Sequence, residues 1–308
     1  LPTYQSAWLK THYPAAFLAG VLTHDPGMYP KRLIVDEARQ MGITIAPIDV
    51  NASDAVYRVE DHGNAIRIAL ATVSGISDGE VQSIIAGRPY IDLNDFVRRS
   101  GCSTPVTESL ILTGGFDSLH ADVNRRDLLL HFSDLQKSPS AAVSGAQMNL
   151  GFEPPALISS GLPAMTASES VKYEIDRLGI DMSRHMIEFY GDFLNAIGAV
   201  RSSDLLKQRS QSSVLVAGIK VAMQTPPVRS GKRVIFVTLD DGYGLSDSTF
   251  FTDVQGEYAN VLYSTSLLLV RGVTRRTGAR GISIRATGAW DLRAAYESWS
   301  TKQSTLAI

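Results

Sequence analysis

The sequence predicts an α+β protein of several domains. Its first two thirds are mostly helical, and a five-stranded barrel follows in the C-terminal third. Apolar residues recur at helical spacing up to about residue 210, and strand-like apolar runs replace them beyond it. The 308 residues suffice for two or three hydrophobic cores, and a composition of 44% hydrophobic and 19% charged residues is that of a globular protein.

Charge and composition limit the functions that fit. The net charge is −2, so any nucleic-acid binding must come from local basic patches rather than from the field of the whole chain. The single cysteine, Cys102, excludes an internal disulfide and fits a reducing compartment, which predicts a cytoplasmic location. No stretch reaches the roughly eighteen apolar residues of a membrane span. Because the chain starts with Leu1 rather than Met, we expect a fragment or a mature product.

Two helices open the chain, and a small α/β segment follows them. Pro14 fits the first turn of the second helix, where its missing N–H costs nothing. A third helix from about Lys31 to Met41 ends at Gly42, and Ile43–Ile45 follows as a strand. The apolar stripe expected to be buried is Trp8, Phe17, Leu18, Val21 and Leu22.

A helix–hairpin–helix is predicted within residues 64–119. Gly75 supplies the tight turn, Ile76 fills the gap between the helices, and Ser77 with Glu80 forms a capping box. Unpaired backbone N–H groups at such a helix N-terminus can bind a phosphate, although Glu80 would compete with it or repel it. An ordinary short turn between helices explains the same pattern. The candidate duplex contacts are Gly75, Ile76, Ser77 and Gly79.

Residues 136–167 are rich in Ser, Ala, Gly and Pro, which is typical of a linker. The linker contains a candidate docking peptide. In an extended backbone, Gln147 can hydrogen-bond at the rim of an apolar pocket that Leu150 and Phe152 fill. A linker that packs a few apolar residues onto a neighbour explains the pattern nearly as well.

The C-terminal part predicts an OB-fold barrel. Strands are expected at 214–219, 233–239, 248–251, 267–273 and 282–286, with a helix at 254–262 before the fourth strand. Residues 205–293 carry twelve cationic and six acidic side chains, a net charge of +6. OB-folds bind single strands through a cationic groove and stacking aromatic rings. The candidate single-strand contacts are Lys220, Arg229, Lys232, Arg233, Phe236, Arg271, Arg275, Arg276 and Arg280.

Two alternatives stay open for these candidates. The cations are also explained as solvated loop residues, and Phe236 fits the core as well as a stacking position. Metal and catalytic patterns are missing from the sequence. The acidic pair Asp240–Asp241 before Gly242 fits a hairpin turn better than a Mg²⁺ site. The six histidines lack His-x-x-x-His spacing, which argues against zinc, and Gly-x-Ser-x-Gly and phosphate-loop motifs are absent.

In order along the chain, these motifs resemble the bacterial DNA polymerases of the C family, the polymerase III alpha-subunit type. The resemblance rests on SAWLKTHYPAAFLA at 6–19, PIDVNAS at 47–53, the hairpin, TGGFDSL at 113–119 and VLVAGI at 214–219. Residues 27–60 are similar to the error-prone branch somewhat more than to the main replicase. Ser77 stands where the family has the second hairpin glycine.

The resemblance implies the C-terminal part of a DNA-directed DNA polymerase, active in replication or in error-prone translesion synthesis. The catalytic carboxylates and their Mg²⁺ would lie in an upstream palm domain, so this chain would supply no catalytic residue and no metal ligand. The implied partners are primer–template duplex, single-stranded template and either the sliding clamp or polymerase accessory proteins. Gln147, Leu150 and Phe152 would be the clamp-binding residues.

The predicted organisation follows from these assignments. It comprises the end of the polymerase fingers (1–63), a helix–hairpin–helix module (64–135), a linker (136–167), a helical connector (168–210), an OB-fold domain (211–293) and a tail (294–308) that is polar and disordered from Ser298 on. Two other functions fit the same sequence. One is a standalone DNA-binding accessory protein without polymerase activity, and the other is a scaffold whose barrel and linker bind polymerase partners.

Overall fold

The structure is a computed structural model of the chain. It describes residues 2–25, 27, 29–137, 157, 159–226, 233–278 and 281–306. The chain forms two compact units, Leu1–Arg184 and His185–Ile308. Within the described ranges, every helix is too short or too polar to cross a lipid bilayer.

The first unit opens with three helices and a small mixed sheet. The helices α1 (Pro2–His12), α2 (Pro14–His24) and α3 (Lys31–Gln40) precede the strands β1 (Thr44–Ala46), β2 (Arg58–Glu60) and β3 (Ala65–Arg67). Strand β3 lies in the middle, parallel to β1 and antiparallel to β2. Pro14 occupies the first turn of α2, as the sequence predicts.

The predicted burial of Trp8 is wrong. Leu18 and Leu22 of the same predicted stripe are buried, but Trp8 is 43% exposed. Its ring packs against His12 and Tyr13, with centroids 4.6 and 5.8 Å away. Helical spacing places Trp8 on an apolar face, but it does not show whether another element covers that face.

Five more helices lie in the described part of the first unit. They are α4 (Asp78–Ala86), α5 (Leu93–Ser100), α6 (Thr104–Leu112), α7 (Arg125–Lys137) and α8 (Ala167–Leu178). In place of the first helix of the predicted hairpin, the structure has a short 3₁₀ turn, Leu70–Thr72. Phe96 on α5 packs edge-to-face between Tyr90 and Phe116, with both centroid distances 4.9 Å. These three rings lie in the core of the helix–hairpin–helix module.

A reciprocal amide bridge fixes the loop between α4 and α5. The Asn51 side chain donates to the carbonyl of Tyr90 and accepts from the Tyr90 N–H, both at 2.8 Å. Arg88 donates to the carbonyls of Val50 and Ser53. Because backbone groups away from water need partners, these bonds hold the loop against residues 47–53. The PIDVNAS motif therefore has a structural role.

The second unit carries the barrel. Helices α9 (Gly191–Ala196) and α10 (Ser202–Leu205) precede β4 (Ser213–Gln224), β5 (Ile235–Asp240), β6 (Leu245–Phe250), α11 (Thr252–Ser264), β7 (Leu267–Arg276) and β8 (Ile282–Asp291). The strands close in the order β4–β5–β6–β8–β7, with β6 and β8 parallel. This order, with a helix between the third and fourth strands, is the OB-fold topology, so the predicted fold class is confirmed. The predicted connector, 168–210, is divided between the two units.

Strand β5 shows how the barrel is built. Ile235, Val237 and Leu239 are buried in the barrel interior, because alternate side chains of a strand point to one face. The acidic pair after them forms the predicted hairpin turn. Asp240 accepts a hydrogen bond from the Gly242 N–H, and Asp241 accepts one from the Tyr243 N–H, each at 3.0 Å.

The predicted disordered tail is also wrong. Residues Leu292–Leu306 form a helix, α12. Leu292 is fully buried, and the rings of Tyr296 and Trp299 lie 5.9 and 5.5 Å from that of Phe193. The polar residues between these side chains concealed an apolar face at helical spacing.

Candidate nucleic-acid interface

The hairpin that leads into α4 has the predicted geometry. Gly75 has a φ of +80°, a left-handed backbone that glycine adopts without strain. Ile76 is half-buried against the core. The Ser77 hydroxyl accepts from the Glu80 N–H at 3.3 Å, and the Glu80 carboxylate accepts from the Ser77 N–H at 2.9 Å. The predicted capping box is therefore confirmed.

Glu80 also binds the start of a second helix, which the sequence does not predict. Its Oε1 accepts from the Ser103 N–H at 2.9 Å and from the Ser103 hydroxyl at 2.7 Å, immediately before α6. Its Oε2 accepts from both donors of Ser77. These hydrogen bonds, led by that from the Ser103 backbone, lower the pKa of Glu80 to about 2. The carboxylate is therefore ionised at neutral pH.

The Glu80 carboxylate occupies two of the backbone donors that a phosphate could use near this hairpin. An anion at a helix N-terminus binds backbone N–H groups, and those of Ser77 and Ser103 already bind Glu80. Asp78 adds an exposed acid beside them. Duplex contact through Gly75, Ile76, Ser77 and Gly79 stays a prediction.

Two of the predicted barrel cations bind backbone carbonyls elsewhere in the second unit. The half-buried Lys220 on β4 donates its ammonium group to the carbonyl of Leu262, and burial lowers the pKa of this lysine. Arg276, at the end of β7, donates to the carbonyl of Leu206. Both cations therefore stabilise the unit, and part of their hydrogen-bonding capacity is already used.

Phe236 lies outside the barrel core. It is 43% exposed on β5, whereas its neighbours Ile235 and Val237 are buried. This position settles the choice that the sequence left open between core and surface. Arg233, just before β5, is exposed as well. Arg229, Lys232 and Arg280, like the clamp candidates Gln147, Leu150 and Phe152, lie outside the described residues.

A cavity of about 440 Å³ opens on the outer surface of the barrel. Arg275 of β7, Arg285 of β8 and Phe251, just before α11, contribute to its walls. The Arg285 guanidinium lies 5.4 Å from the centroid of the Phe251 ring and 3.2 Å from the carboxylate of Asp253. Gln211, Thr274 and Thr287 add polar side chains to the lining.

This cavity combines the groups that recognise a nucleotide. Guanidinium groups bind phosphate oxygens through charge-assisted and often bidentate hydrogen bonds. An accessible aromatic ring next to them offers a face on which a base can stack. Asp253 competes with a phosphate for Arg285, because it holds the same guanidinium. We call this site, defined by Phe251, Arg275 and Arg285, the Phe251 cavity.

The sequence predicts Arg275 as a contact but neither Arg285 nor Phe251. Strand alternation contains the missing signal. Ile284 and Ala286 are buried, so Arg285 between them must point outward. Phe250 is fully buried, whereas Phe251 is 38% exposed. What the sequence does not reveal is that these two outward side chains meet, since they lie on separate elements.

Fold and site define a helix–hairpin–helix module followed in sequence by an OB-fold barrel. Comparison with known families supports the first part, because a family model described as a helix-hairpin-helix motif matches residues 42–128. Among solved structures, the mitochondrial single-stranded DNA binding protein Rim1 of S. cerevisiae covers 27% of this chain and 97% of its own, at 14% identity and a TM-score of 0.23. The OB-fold assignment rests on the strand order and not on that limited match.

Sequence relatives extend over nearly the whole chain. The error-prone DNA polymerase of Symbiobacterium thermophilum is 30% identical, covering 91% of this chain and 30% of the relative. The DNA polymerase III subunit alpha of Vibrio cholerae is 28% identical, covering 97% of this chain and 27% of the relative. The chain thus spans less than a third of the length of these relatives. The predicted resemblance is confirmed: the chain is related to the bacterial C-family DNA polymerases.

Proposed function

We propose that this chain is the DNA-handling part of a bacterial C-family DNA polymerase, and that its barrel holds single-stranded template. Support comes from the sequence relatives, which are DNA polymerases and align with nearly all of this chain. In the full-length protein, Mg²⁺-assisted nucleotidyl transfer would occur in segments beyond this chain. The pattern of residues 27–60 favours the error-prone, lesion-tolerant branch.

The Phe251 cavity is the main structural support for this proposal. A single strand can stack a base on Phe251 while neighbouring phosphates bind Arg275 and Arg285. Stacking tolerates any base, because every base has a π-face, so this mode suits a template whose sequence changes at each step. The exposed Phe236 offers a further stacking position on β5.

For the hairpin we propose a mainly structural role. Glu80 joins the starts of α4 and α6, and its ionised carboxylate would repel a phosphate that approached the same donors. Duplex binding through residues 75–79 is the weaker alternative. The sliding clamp remains a proposed partner through Gln147, Leu150 and Phe152.

A second candidate function is docking of a polymerase partner protein. Exposed aromatic side chains on α1 and just after it favour this function. Tyr4, Trp8 and Tyr13 are 70%, 43% and 59% exposed in the first unit. Exposed aromatic side chains that lie close together are typical of protein interfaces. An apolar contact of this kind would respond little to salt, whereas phosphate binding weakens steeply as salt rises.

The test is equilibrium binding of the full chain to labelled oligo(dT), duplex and primed template. We predict binding to the single-stranded and primed forms, and an affinity at least about tenfold lower in Arg275→Ala/Arg285→Ala. The matched control is Arg58→Ala/Arg98→Ala, which removes two exposed arginines of the first unit. A chain that binds none of the three forms at low salt would overturn the assignment and favour the docking function.

A further inference from the structure

A second aromatic–arginine cluster lies on the outer surface of the barrel, beyond the Phe251 cavity. Trp290 of β8 is 37% exposed. The Arg271 guanidinium lies 5.4 Å from the centroid of the Trp290 ring, and the Tyr258 ring of α11 meets it edge-on at 6.0 Å. We call Arg271, Trp290 and Tyr258 the Trp290 platform.

Gly288 makes room for this ring. A Cβ atom at position 288 would lie 2.7 Å from the far edge of the Trp290 indole, closer than real contacts allow. Gly288 pairs with Arg271 across the two strands. The indole therefore lies close to the bare backbone of the sheet, held between Arg271 and Tyr258, instead of extending freely into solvent.

The Trp290 platform continues the surface on which the Phe251 cavity lies. Arg271, Val273 and Arg275 alternate along β7, so their side chains share one face. Val273 and Arg275 line the cavity. Arg271 is four residues from Arg275, which at about 3.3 Å per residue is about 13 Å along the strand. Helix α11 borders both sites, through Asp253 at the cavity and Tyr258 at the platform.

We propose that Trp290 and Arg271 form a second stacking site for the same single-stranded DNA. The inference rests on the proposed function. Charge complementarity favours single-stranded DNA as the ligand. Three arginines, Arg271, Arg275 and Arg285, lie along β7 and β8, where they can bind successive phosphates of its backbone. Two stacking rings joined by a cationic surface are the arrangement by which OB-folds bind single strands without reading sequence.

A purely structural role for Trp290 predicts a different outcome. If the indole only covers Gly288, its removal destabilises the unit, but its environment does not change when DNA is added. A stacking role requires that a base contact the exposed part of the ring, which quenches its fluorescence. The fluorescence of Trp290, measured in a chain that keeps this residue, therefore separates the two roles. It does not depend on a variant at position 290.

The experiment titrates oligo(dT) into the full chain carrying Trp8→Phe and Trp299→Phe, so that Trp290 is the remaining tryptophan. We expect its emission to be quenched, and the affinity of Trp290→Ala in the wild-type background to fall by at least about fivefold. Trp290→Phe should keep most of the affinity. Trp8→Ala, which removes a similarly exposed tryptophan, should bind as the wild type does.

Two results overturn the inference, and they are distinguishable. If binding depends on Arg275 and Arg285 while Trp290 is not quenched, the second site is wrong and the proposed function stands. If the wild-type chain does not bind oligo(dT) at low salt, both are wrong. Should Trp290→Ala fail to fold, quenching and the affinity of Trp290→Phe decide the outcome.

Discussion

Glu80 and Ser103 are joined by two hydrogen bonds, from the Ser103 N–H at 2.9 Å and from its hydroxyl at 2.7 Å. The same carboxylate caps α4 through Ser77. One ionised side chain thus binds the N-termini of two helices, where the helix dipoles favour negative charge. The resemblance implies duplex contact at the hairpin before α4, yet here Glu80 already binds the Ser77 N–H.

Glu80→Gln should destabilise the first unit at neutral pH. An amide has one acceptor oxygen and no charge, so it can keep the contact at Ser77 or the contact at Ser103 but not both, and the lost contact costs about 1 kcal/mol, as a helix cap does. The pKa of Glu80 is lowered from 4.5 to about 2, so its stabilisation is present above pH 4.5 and is lost as the pH falls towards 2. Urea unfolding at pH 7 and at about pH 2 should show a difference that disappears in acid.

The control for this prediction is Asp78→Asn, which removes an exposed acid from the first turn of the same helix. It should lose less stability than Glu80→Gln. Equal stability of Glu80→Gln and the wild type at pH 7 would show that the double cap does not contribute.

Asn51→Ala should unfold the first unit more readily and leave single-strand binding unchanged. The substitution leaves the N–H and carbonyl of Tyr90 without the amide that pairs them, at a cost of about 1–3 kcal/mol. Thermal unfolding followed by circular dichroism measures the loss. Gln82→Ala, an exposed amide on α4, is the matched control. A parallel loss of oligo(dT) binding at a temperature where the chain is folded would contradict the assignment of binding to the barrel.

Asp253→Asn should strengthen single-strand binding. The carboxylate lies 3.2 Å from the Arg285 guanidinium and competes with phosphate for it. Because an exposed ion pair is worth little, the gain should be at most about fivefold. Asp204→Asn removes an acid that pairs with Lys207 instead, and it should change affinity less. Weaker binding by Asp253→Asn would mean that the carboxylate orients Arg285 for the strand.

Phe251→Ala and Arg285→Ala should weaken binding in different ways. Loss of the ring removes stacking, so affinity falls while the salt dependence stays as in the wild type. Loss of the guanidinium removes a phosphate contact, which lowers the slope of log K against log salt by about 0.7. Affinities measured at several salt concentrations separate the two. Identical slopes for both variants would exclude a phosphate contact at Arg285.

The features that the sequence predicts correctly depend on neighbours within a few residues. Ser77 with Glu80 and the turn at Asp240–Asp241 both form local hydrogen bonds. The strand order of the barrel was predictable as well, because alternation and the intervening helix mark its elements in the sequence.

The features that escaped prediction join distant parts of the chain. Glu80 meets Ser103 across 23 residues, and Arg285 meets Asp253 across 32. No periodicity records such pairs, because they depend on how helices and strands pack. The predictions of a buried Trp8 and of a disordered tail in place of α12 were wrong for a related reason. An apolar stripe shows that a helix has an apolar face, but it does not show what covers that face.

The salt dependence of oligo(dT) binding by the wild-type chain and by Arg275→Ala/Arg285→Ala tests most directly whether the barrel holds single-stranded DNA. We predict steep, salt-sensitive binding by the wild type, and a slope of log K against log salt that is lower by about 1.4 in the variant, because two phosphate contacts are lost. Parallel slopes with equal affinities would contradict it, since the Phe251 cavity would then hold no nucleic-acid backbone.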